Sequence, residues 1–244
     1  MKKYGLIGYP LTHSFSKKYF ADKYERENIT DAQYELYELA QIEEFKDLIS
    51  ENNFSGLNVT IPYKEQVIQF LDKLDPQTAE RIGAVNVIKF EENGQKVGYN
   101  SDYIGFARSL DKFLPHHNMK ALILGTGGAS KAIRAVLDDR NIPHKYVSRN
   151  AGEDILSYDQ LSEELMGEYH LIINTTPLGT YPKEDTFPNI PYEYLTEDHY
   201  LMDLVYNPEV TLFMQKGLDK GAKAKNGHEM LIGQAEGAWE IWNQ

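Results

Sequence analysis

The stretch ALILGTGGASKA at residues 121–132 limits what this chain can fold into more than any other part of the sequence. Four apolar residues, Ala121 to Leu124, run directly into glycines, a pattern typical of a buried parallel strand that opens into a tight turn. Gly125 and Gly127 can take backbone angles closed to other residues, and without side chains they let a diphosphate approach the main chain. The stretch therefore predicts the strand and glycine turn of a dinucleotide-binding fold.

The residues after this turn predict a helix. Apolar side chains recur there with the i, i+3, i+4, i+7, i+8 spacing of one helical face: Ala129, Ala132, Ile133, Val136 and Leu137. The start of such a helix offers unpaired N–H groups and the positive end of its dipole to an anion. Ser130 stands where the dinucleotide fingerprint has glycine or alanine. The setting of the turn, between a strand and a helix, favours nucleotide binding over a purely structural turn.

Length and composition set the broad class of the protein. The 244 residues allow one large domain or two small ones. No run approaches the roughly 18 apolar residues of a membrane span, and the start MKKYGLIGYP lacks the long apolar region of a signal peptide. The sequence contains no cysteine, which excludes disulfides, thiolate metal sites and cysteine nucleophiles and fits a reducing compartment. We therefore expect a cytoplasmic protein.

The charge and the histidines narrow the range of partners. A net charge of -12 repels nucleic acids and anionic membrane surfaces, so any anionic ligand must meet locally placed Lys or Arg. The seven histidines lack the spacing of metal ligands. We expect no nucleic acid, no membrane and no metal.

The rest of the sequence predicts alternating strands and helices, which is α/β organisation. In the first hundred residues, strands are expected at residues 4–7, 34–37, 56–61, 82–88 and 96–99. Helices are expected at residues 17–27, 42–49 and 103–110. Beyond the dinucleotide stretch, strands are expected at residues 145–147, 170–173 and 201–205, and a last helix at residues 229–242.

Polar side chains stand at the ends of several of these elements. Ser14 and Ser16 precede the first helix, where they could cap it or, together with its N-terminus, hold a small carboxylate. Thr60 and Lys64 flank Pro62 at the carboxyl end of a strand, where open α/β sheets bind their ligands. From spacing alone, Lys64 is either a solvated lysine at a helix start or a catalytic one.

Further polar positions have two interpretations each. Asn86 lies among apolar residues and needs hydrogen-bond partners, either from neighbouring backbone or from a ligand. Ser101 or Asp102 would cap the helix at residues 103–110, or would take part in chemistry. Gln234 interrupts the apolar stripe of the last helix, and it either faces water at the edge of the stripe or is buried against a ligand.

Eight ordered motifs, spread over nearly the whole chain, together resemble the shikimate dehydrogenase family. Ahead of the nucleotide loop stand GxPxxHSxS at residues 8–16, NVTxPxK at 58–64, GAVN at 83–86 and GxNxD at 98–102. The loop itself and the segments after it are GTGGAS at residues 125–130, NTTPLG at 174–179, YNPEVT at 206–211 and GxxMLxxQA at 227–235.

The resemblance implies two α/β domains with the active site in the cleft between them. Residues 1–103 would form the substrate-binding domain and residues 104–226 the NADP-binding Rossmann domain. Residues 227–244 would form a C-terminal helix that packs back on the first domain and brings Gln234 to the site. The reaction implied is the reversible NADPH-dependent reduction of 3-dehydroshikimate to shikimate, in aromatic amino acid (chorismate) biosynthesis.

The resemblance also implies roles for single residues. Lys64 would donate the proton that the reduced ketone oxygen needs, and Asp102 would orient it. The substrate would be held by Ser14, Ser16, Thr60, Asn86, Tyr206 and Gln234. The cofactor NADP(H) would be held by Gly125, Thr126, Gly127, Gly128, Ala129, Ser148, Arg149, Asn150, Thr175, Leu204 and Gly227. The family includes monomers and homodimers.

Two departures from the family pattern concern the cofactor. Arg149 follows the strand at residues 145–147, where an arginine accommodates the 2′-phosphate of NADP and an acidic residue would favour NAD. The family has a second basic residue shortly afterwards, whereas this chain continues Ala-Gly-Glu-Asp at residues 151–154, so we expect a modest preference for NADP. Glu229 stands where we expect a glycine.

Two other functions remain open at this point. The missing second basic residue suits a quinate/shikimate dehydrogenase that uses NAD, although the serine pair Ser14 and Ser16 favours shikimate. A ligand sensor could keep the fold without catalysis, but Lys64 and Asp102 argue against it, because a sensor needs no proton-transfer residue. The absence of ligand clusters argues against a metal-dependent hydrolase.

Overall fold

The computed structural model describes residues 1–11 and 14–244. These residues form two compact units, the first made of Met1–Ile104 with Gly233–Gln244 and the second of Gly105–Ile232. The strands are β1 (Lys2–Gly8), β2 (Ala32–Glu38), β3 (Gly56–Val59), β4 (Lys73–Leu74), β5 (Val87–Phe90), β6 (Lys96–Tyr99), β7 (Ala121–Leu124), β8 (His144–Ser148), β9 (Ile155–Ser157), β10 (Leu171–Asn174), β11 (Tyr200–Asp203) and β12 (Lys223–Lys225). The α-helices are α1 (Phe15–Arg26), α2 (Phe45–Glu51), α3 (Ala79–Ile82), α4 (Ser101–Phe113), α5 (Gly128–Asp139), α6 (Glu163–Glu168), α7 (Leu212–Leu218) and α8 (His228–Trp242).

The first unit is built on a mixed sheet with the order β2-β1-β3-β5-β6-β4. Strand β1 pairs in parallel with β2 and β3, and β5 pairs antiparallel with β3 and β6. Alternate residues of β1 enter two different cores, since Leu6 packs in the cluster with α1 and α8 while Ile7 packs with Leu57 and Val59. Both faces of the sheet are therefore covered, as the apolar strand sequences predict.

The last ten residues of α8 belong to the core of the first unit. The Trp242 indole N–H donates to the Ile88 carbonyl over 3.0 Å, and a Cβ on Gly56 would collide with that indole. The buried ammonium of Lys23, on α1, lies 2.9 Å from a carboxylate oxygen of Glu236 and 5.7 Å from the centre of the Trp239 ring. Helix α8 is thus fixed to the first sheet and to α1 by apolar packing and a buried ion pair.

The second unit is a parallel doubly wound sheet with the order β12-β11-β10-β7-β8-β9. Every adjacent pair of its strands is parallel. The chain leaves β7 towards β9 on one side and returns to β10, on the other side of β7, before continuing to β12. The direction of winding therefore reverses between β7 and β10, which is where sheets of this type bind their ligands. The predicted α/β fold class is confirmed.

The strand predicted at residues 82–88 is wrong. Residues 79–82 form the short helix α3, Gly83 ends it with φ of 72°, and β5 begins only at Val87. An apolar run of this length is buried in either structure, so its pattern did not separate a strand from a helix end. The left-handed backbone at Gly83, which glycine adopts without strain, decided the outcome.

Two helix starts also differ from the prediction. Helix α1 begins at Phe15, so Ser16 lies in its first turn, and α4 begins at Ser101. The side chain of Asn100 accepts a hydrogen bond from the Tyr103 N–H over 3.3 Å, and Asn100 is therefore the cap in place of Ser101 or Asp102. Among the described residues, no helix is both long enough and apolar enough to cross a membrane.

Candidate active site and nucleotide site

Lys64 and Asp102 form a close ion pair in the first unit. The Lys64 Nζ lies 2.6 Å from the Asp102 Oδ2, the distance of a strong charge-assisted hydrogen bond. The Asp102 side chain is 8% exposed and that of Lys64 is 27% exposed. Asp102 is held inside the protein, while the ammonium group keeps some access to a ligand. Lys64 is thus a lysine paired with a buried carboxylate, and its catalytic role stays a prediction.

Asn86 orients the Asp102 carboxylate from its other side. The Asn86 Nδ2 donates to Asp102 Oδ1 over 2.9 Å, and its Oδ1 accepts from the main-chain N–H of Ser101 over 2.6 Å. The Ser101 hydroxyl lies 3.3 Å from the same Asn86 oxygen. Among the described contacts, Asp102 takes one of the two Nδ2 hydrogens of Asn86, so the amide has a second hydrogen to offer a ligand.

The start of α4 explains why the Asp102 side chain can bind Lys64 and does not cap the helix. Because Asn100 caps the helix, Asp102 occupies the second helical position with its carboxylate directed to Lys64 and Asn86. A negative charge in the first turn is also stabilised by the helix dipole. The sequence prediction had placed the cap one or two residues too late.

A second chain of hydrogen bonds connects Asn86 through β3 to β2. The Asn58 Nδ2 donates to the Asn86 carbonyl over 3.2 Å, and the Asn58 Oδ1 accepts from the Tyr34 hydroxyl over 2.8 Å. Burial raises the pKa of Tyr34, and the nearby Ser16 side chain acts in the opposite direction. Sequence reasoning did not single out Asn58 or Tyr34, although Asn58 is a polar residue inside an apolar strand and so signalled a need for partners.

The remaining predicted substrate residues of the first unit make contacts other than those of this pair. Ser14 caps α1, with its Oγ accepting from the Lys17 N–H over 3.4 Å, and this agrees with the capping interpretation. Thr60 follows β3, and a Cβ on Gly8 would lie 2.5 Å from its methyl group. Gln234 is half-buried on α8, in the part that belongs to the first unit. Within the described residues, these three lie outside the Lys64 hydrogen-bond network.

Tyr206 belongs to the second unit, where it follows β11 and is 41% exposed. Thr12 and His13, inside the motif at residues 8–16, lie outside the described residues.

The glycine turn of the second unit is open to a ligand. Gly125 has φ of 103°, which only glycine adopts readily, and its N–H donates to the Val147 carbonyl over 2.8 Å. Gly127 has φ of -74° and needs no unusual backbone, but a Cβ on Gly127 or Gly128 would meet nothing within 4 Å. Helix α5 starts at Gly128 without a side-chain cap. The main chain at Gly127 and Gly128 is therefore exposed at the start of a helix, which fits the diphosphate of a dinucleotide.

Thr175 lies against this turn, at the point where the winding of the chain through the second sheet reverses direction. Its hydroxyl donates to the Leu124 carbonyl over 2.7 Å, and a Cβ on Gly125 would lie 2.9 Å from that hydroxyl oxygen. Thr126 is exposed, and Ala129 is half-buried in the first turn of α5. The structure thus brings together the predicted cofactor residues of the segments after β7 and β10.

The segment after β8 is exposed at its end. Ser148 is the last residue of β8, and Arg149 and Asn150 are both exposed. The positive charge of Arg149 acts on Tyr158, whose pKa is raised by burial and lowered in part by this guanidinium. An exposed arginine at a strand end suits a phosphate that arrives from solvent.

Leu204 and Gly227 approach each other through their backbones. A Cβ on Gly227 would collide with the Leu204 carbonyl oxygen, and the Gly227 N–H donates to the Val205 carbonyl over 3.0 Å. Two residues predicted separately for the cofactor are therefore neighbours in the second unit. The glycine is required here by close approach of the main chain.

Asp203 is a buried carboxylate that sequence reasoning missed. It is 1% exposed and accepts hydrogen bonds from the Thr211 hydroxyl over 2.6 Å, from Asn174 Nδ2 over 2.9 Å and from the Val205 N–H over 3.0 Å. Burial raises the pKa of Asp203 to about 6, against the lowering effect of these three donors. The carboxylate ties the ends of β10 and β11 together, and an aspartate closing an apolar strand was the signal for it.

Glu229 is paired with lysines in the second unit. Its carboxylate accepts hydrogen bonds from Lys112, over 2.9 Å, and from Lys225. Burial raises the pKa of Glu229, but the hydrogen bonds with the two lysines outweigh it and the pKa is lowered overall. Within residues 1–11 and 14–244, no group of three or more His, Asp or Glu side chains is placed to hold a metal ion.

A doubly wound parallel unit with an exposed glycine turn, joined in one chain to a unit with a partly accessible lysine–aspartate ion pair, defines a nicotinamide-dependent α/β oxidoreductase. Residues 6–88 match the family model described as the shikimate dehydrogenase substrate binding domain. The chain belongs to the shikimate dehydrogenase family.

Relatives and solved structures agree over almost the full length. The shikimate dehydrogenase (NADP(+)) of Clostridium beijerinckii is 39% identical, and the match covers 100% of this chain and 93% of the relative. A chorismate mutase/shikimate 5-dehydrogenase fusion protein from Clostridium acetobutylicum is 38% identical, with a TM-score of 0.89 and coverage of 100% of this chain and 91% of that one. Shikimate 5-dehydrogenase from Thermus thermophilus, solved with NADP(H) and shikimate, is 28% identical, with a TM-score of 0.86 and coverage of 99% and 93%.

Proposed function

We propose that this protein is a shikimate dehydrogenase that catalyses the reversible, NADPH-dependent reduction of 3-dehydroshikimate to shikimate. The observation that carries the proposal is the ion pair between Lys64 and Asp102, at 2.6 Å, with the ammonium partly accessible. The near-full-length match to enzymes named shikimate dehydrogenase (NADP(+)) supports the same activity. The step belongs to aromatic amino acid biosynthesis.

The chemistry needs a proton donor beside the substrate ketone. Bound NADPH supplies the hydride that the ketone carbon accepts. The Lys64 ammonium stabilises the negative charge that develops on the ketone oxygen and donates a proton to it, so the carbonyl becomes a hydroxyl and the lysine becomes neutral. Asp102 holds the ammonium in place, and Lys64 recovers its proton from solvent. In the direction of shikimate oxidation, neutral Lys64 accepts the hydroxyl proton.

We assign the substrate contacts as follows. The carboxylate is held by Ser14, Ser16 and Tyr206, and the ring hydroxyls by Thr60, Asn86 and Gln234. The second Nδ2 hydrogen of Asn86 supports its role as a ligand. Two hydroxyls near the start of α1, together with the helix dipole, suit a carboxylate. These assignments follow the motif positions in the chain.

The cofactor contacts are proposed for three segments of the second unit. The diphosphate is held at the turn by Gly125, Thr126, Gly127, Gly128 and Ala129. The adenosine phosphate is held after β8 by Ser148, Arg149 and Asn150, with Arg149 favouring NADP. The nicotinamide is held by Thr175, Leu204 and Gly227. The open space above Gly127 and Gly128 supports the first assignment.

Absorbance at the nicotinamide band tests the activity and the cofactor together. Purified protein is mixed with shikimate and, in parallel, with NADP+ or NAD+, and we expect reduction to be faster with NADP+. Quinate in place of shikimate should give little reduction. No reduction of either cofactor by a folded protein would refute the enzyme assignment, and equal rates with both would refute Arg149 as the selector.

We further propose a cytoplasmic enzyme that acts as a monomer or a homodimer on small molecules, without nucleic acid. The cysteine-free composition supports the first point and the net charge of -12 supports the last.

A further inference from the structure

A pair of polar side chains near β4 has no direct part in the proposed reaction. The Asp75 Oδ2 accepts a hydrogen bond from the Thr78 main-chain N–H over 2.8 Å and from the Thr78 hydroxyl over 2.6 Å. The hydroxyl hydrogen of Thr78 is therefore directed to Asp75, which leaves the Thr78 oxygen oriented as an acceptor. Asp75 is itself anchored, because its N–H donates to the Gly98 carbonyl over 2.8 Å.

The donor to the Thr78 oxygen is the main chain of Asn100. The Asn100 N–H lies 3.2 Å from the Thr78 Oγ1. Asn100 is 1% exposed, and its Nδ2 donates to the Ala84 carbonyl over 2.9 Å. A buried N–H without a partner costs about 1–3 kcal/mol, so Thr78 is the group that makes this position of Asn100 stable.

Asn100 is the cap of α4, and Asp102 is the second residue of that helix. The position of the Asn100 cap therefore fixes the main chain of Asp102, from which its side chain reaches Lys64. Asn86 holds the Asp102 carboxylate itself, over 2.9 Å, whereas Thr78 holds the main chain of Asn100, two residues before Asp102. The two contacts therefore act on Asp102 in different ways, one on its side chain and one on the start of its helix.

We propose that Thr78, held by Asp75, is a positioning residue that sets the place of the Asp102 carboxylate against Lys64. The inference rests on the proposed function, because it assigns Thr78 to the same reaction. Thr78 touches neither substrate nor cofactor in this account, and it acts only through Asn100 and the start of α4.

The substitution Thr78→Val removes the hydroxyl and keeps the branched shape of the side chain. Because a displacement of about 1 Å at a catalytic group costs up to about 100-fold in rate, we expect kcat for shikimate oxidation to fall by roughly 10-fold to 100-fold. The KM for NADP+ should stay unchanged. Thr78→Ser keeps the hydroxyl and should restore most of the activity, which a loss of packing alone would not predict.

The experiment also includes a matched control variant and a second variant that should lose activity for the same reason. Thr196 also makes a side-chain hydrogen bond, 3.1 Å from His199 Nδ1 in the second unit, so Thr196→Val loses a comparable contact and should keep the wild-type kcat. If Thr78→Val does not fold, Asp75→Asn weakens the anchor of the hydroxyl with Thr78 intact. Like Thr78→Val, Asp75→Asn should lower kcat.

A double-mutant cycle with Asp102→Asn separates this role from a general loss of structure. If Thr78 acts through Asp102, then Thr78→Val should lower kcat by less than about twofold in the Asp102→Asn background. Equal losses in both backgrounds, or a Thr78→Val enzyme with normal kcat, would overturn the proposal. An inactive wild-type enzyme would instead refute the proposed function.

Discussion

The two oxygens of Asp102 serve two different partners. Oδ2 lies 2.6 Å from the Lys64 ammonium, and Oδ1 accepts from Asn86 over 2.9 Å. A carboxylate held at both oxygens cannot rotate, so it fixes the direction in which Lys64 points. We therefore expect the lysine, rather than the aspartate, to be the group that exchanges a proton with the substrate.

Replacing Lys64 tests this assignment. In Lys64→Ala the developing negative charge loses its cation and its proton donor, and we expect kcat to fall by about 10²-fold to 10⁴-fold in steady-state assays with shikimate and NADP+. Lys96→Ala is a matched control, since Lys96 forms an ion pair with Asp72 over 2.7 Å in the same unit and should keep normal turnover. A Lys64→Ala enzyme with wild-type kcat would remove the central role.

The charge of the buried Asp203 carboxylate affects the free energy of unfolding. Its pKa is about 6 in the folded protein against 3.8 for an ordinary aspartate. Between these values the folded state binds more protons than the unfolded state, so the free energy of unfolding falls as the pH rises from about 4 to about 6. The loss contributed by this one group is roughly 3 kcal/mol.

The substitution Asp203→Asn should remove this contribution. An asparagine can keep the three partners, with Oδ1 accepting from Asn174 and Val205 and Nδ2 donating to the Thr211 hydroxyl. We expect the difference in unfolding free energy between variant and wild type to grow in favour of the variant from pH 4 to pH 6, measured by urea unfolding. Parallel curves for the two proteins would contradict the raised pKa.

At the scale of elements, the start of α8 depends on a glycine. The main chain of Leu204 occupies the space where a Gly227 side chain would begin. Gly227→Ala must therefore push the segment after β11 away from α8. We expect the KM for NADP+ to rise about tenfold, because Leu204 moves with that segment.

Gly167 offers a matched control for this change. It lies in α6, and a Cβ there would meet nothing within 4 Å, so Gly167→Ala should leave the KM for NADP+ unchanged. Alanine in a helix should even stabilise the protein by up to about 1 kcal/mol. An unchanged KM in Gly227→Ala would show that the contact between Leu204 and Gly227 does not shape the cofactor site.

The middle of α8 is held to α1 by a buried cation. The Lys23 side chain is 4% exposed and lies 2.9 Å from Glu236. Lys23→Met fills similar space but takes the cation from the Glu236 carboxylate, which keeps only the Tyr19 hydroxyl among its described donors. Removing one member of a buried ion pair typically costs about 3–5 kcal/mol. We expect a loss near the lower end of that range, because Glu236 is 28% exposed.

A surface ion pair on the same helix provides the comparison. Lys18 pairs with Asp22, and the two side chains are 80% and 56% exposed. Lys18→Met should therefore change the free energy of unfolding by less than about 1 kcal/mol. Thermal unfolding of both variants measures the difference, and equal losses would show that burial of Lys23 does not decide the strength of its contacts.

On the scale of the whole molecule, the sequence predicted elements best where both ends carried a signal. The strands at residues 96–99 and 121–124 have the predicted bounds, since turn residues flank short apolar runs at both sides. The prediction failed at residues 82–88, where burial makes a helix end and a strand equally apolar. The helix starts at Ser101 and Phe15 were placed two residues late, because several neighbouring polar residues were able to act as caps.

The residues of the candidate site likewise divide into those that the sequence predicted and those that it did not. Lys64, Asp102 and Asn86 were predicted from motifs, and the structure brings these three together in one hydrogen-bond network. Asn58, Tyr34 and Asp203 received no role from the sequence, because their importance comes from partners 24 to 29 positions away in the chain. No local pattern reports such pairings.

The sequence by itself determined the α/β class, the glycine turn after β7 and the identity of the chemical groups, because each depends on residues close together in the chain. The tertiary structure decided which groups meet. Asn100 rather than Asp102 caps α4, and Asp102 is thereby left to hold Lys64. Gly56 and Gly227 are glycines because Trp242 and Leu204 come close to their backbones. Contacts of this kind depend on how distant segments pack, and only the folded chain specifies them.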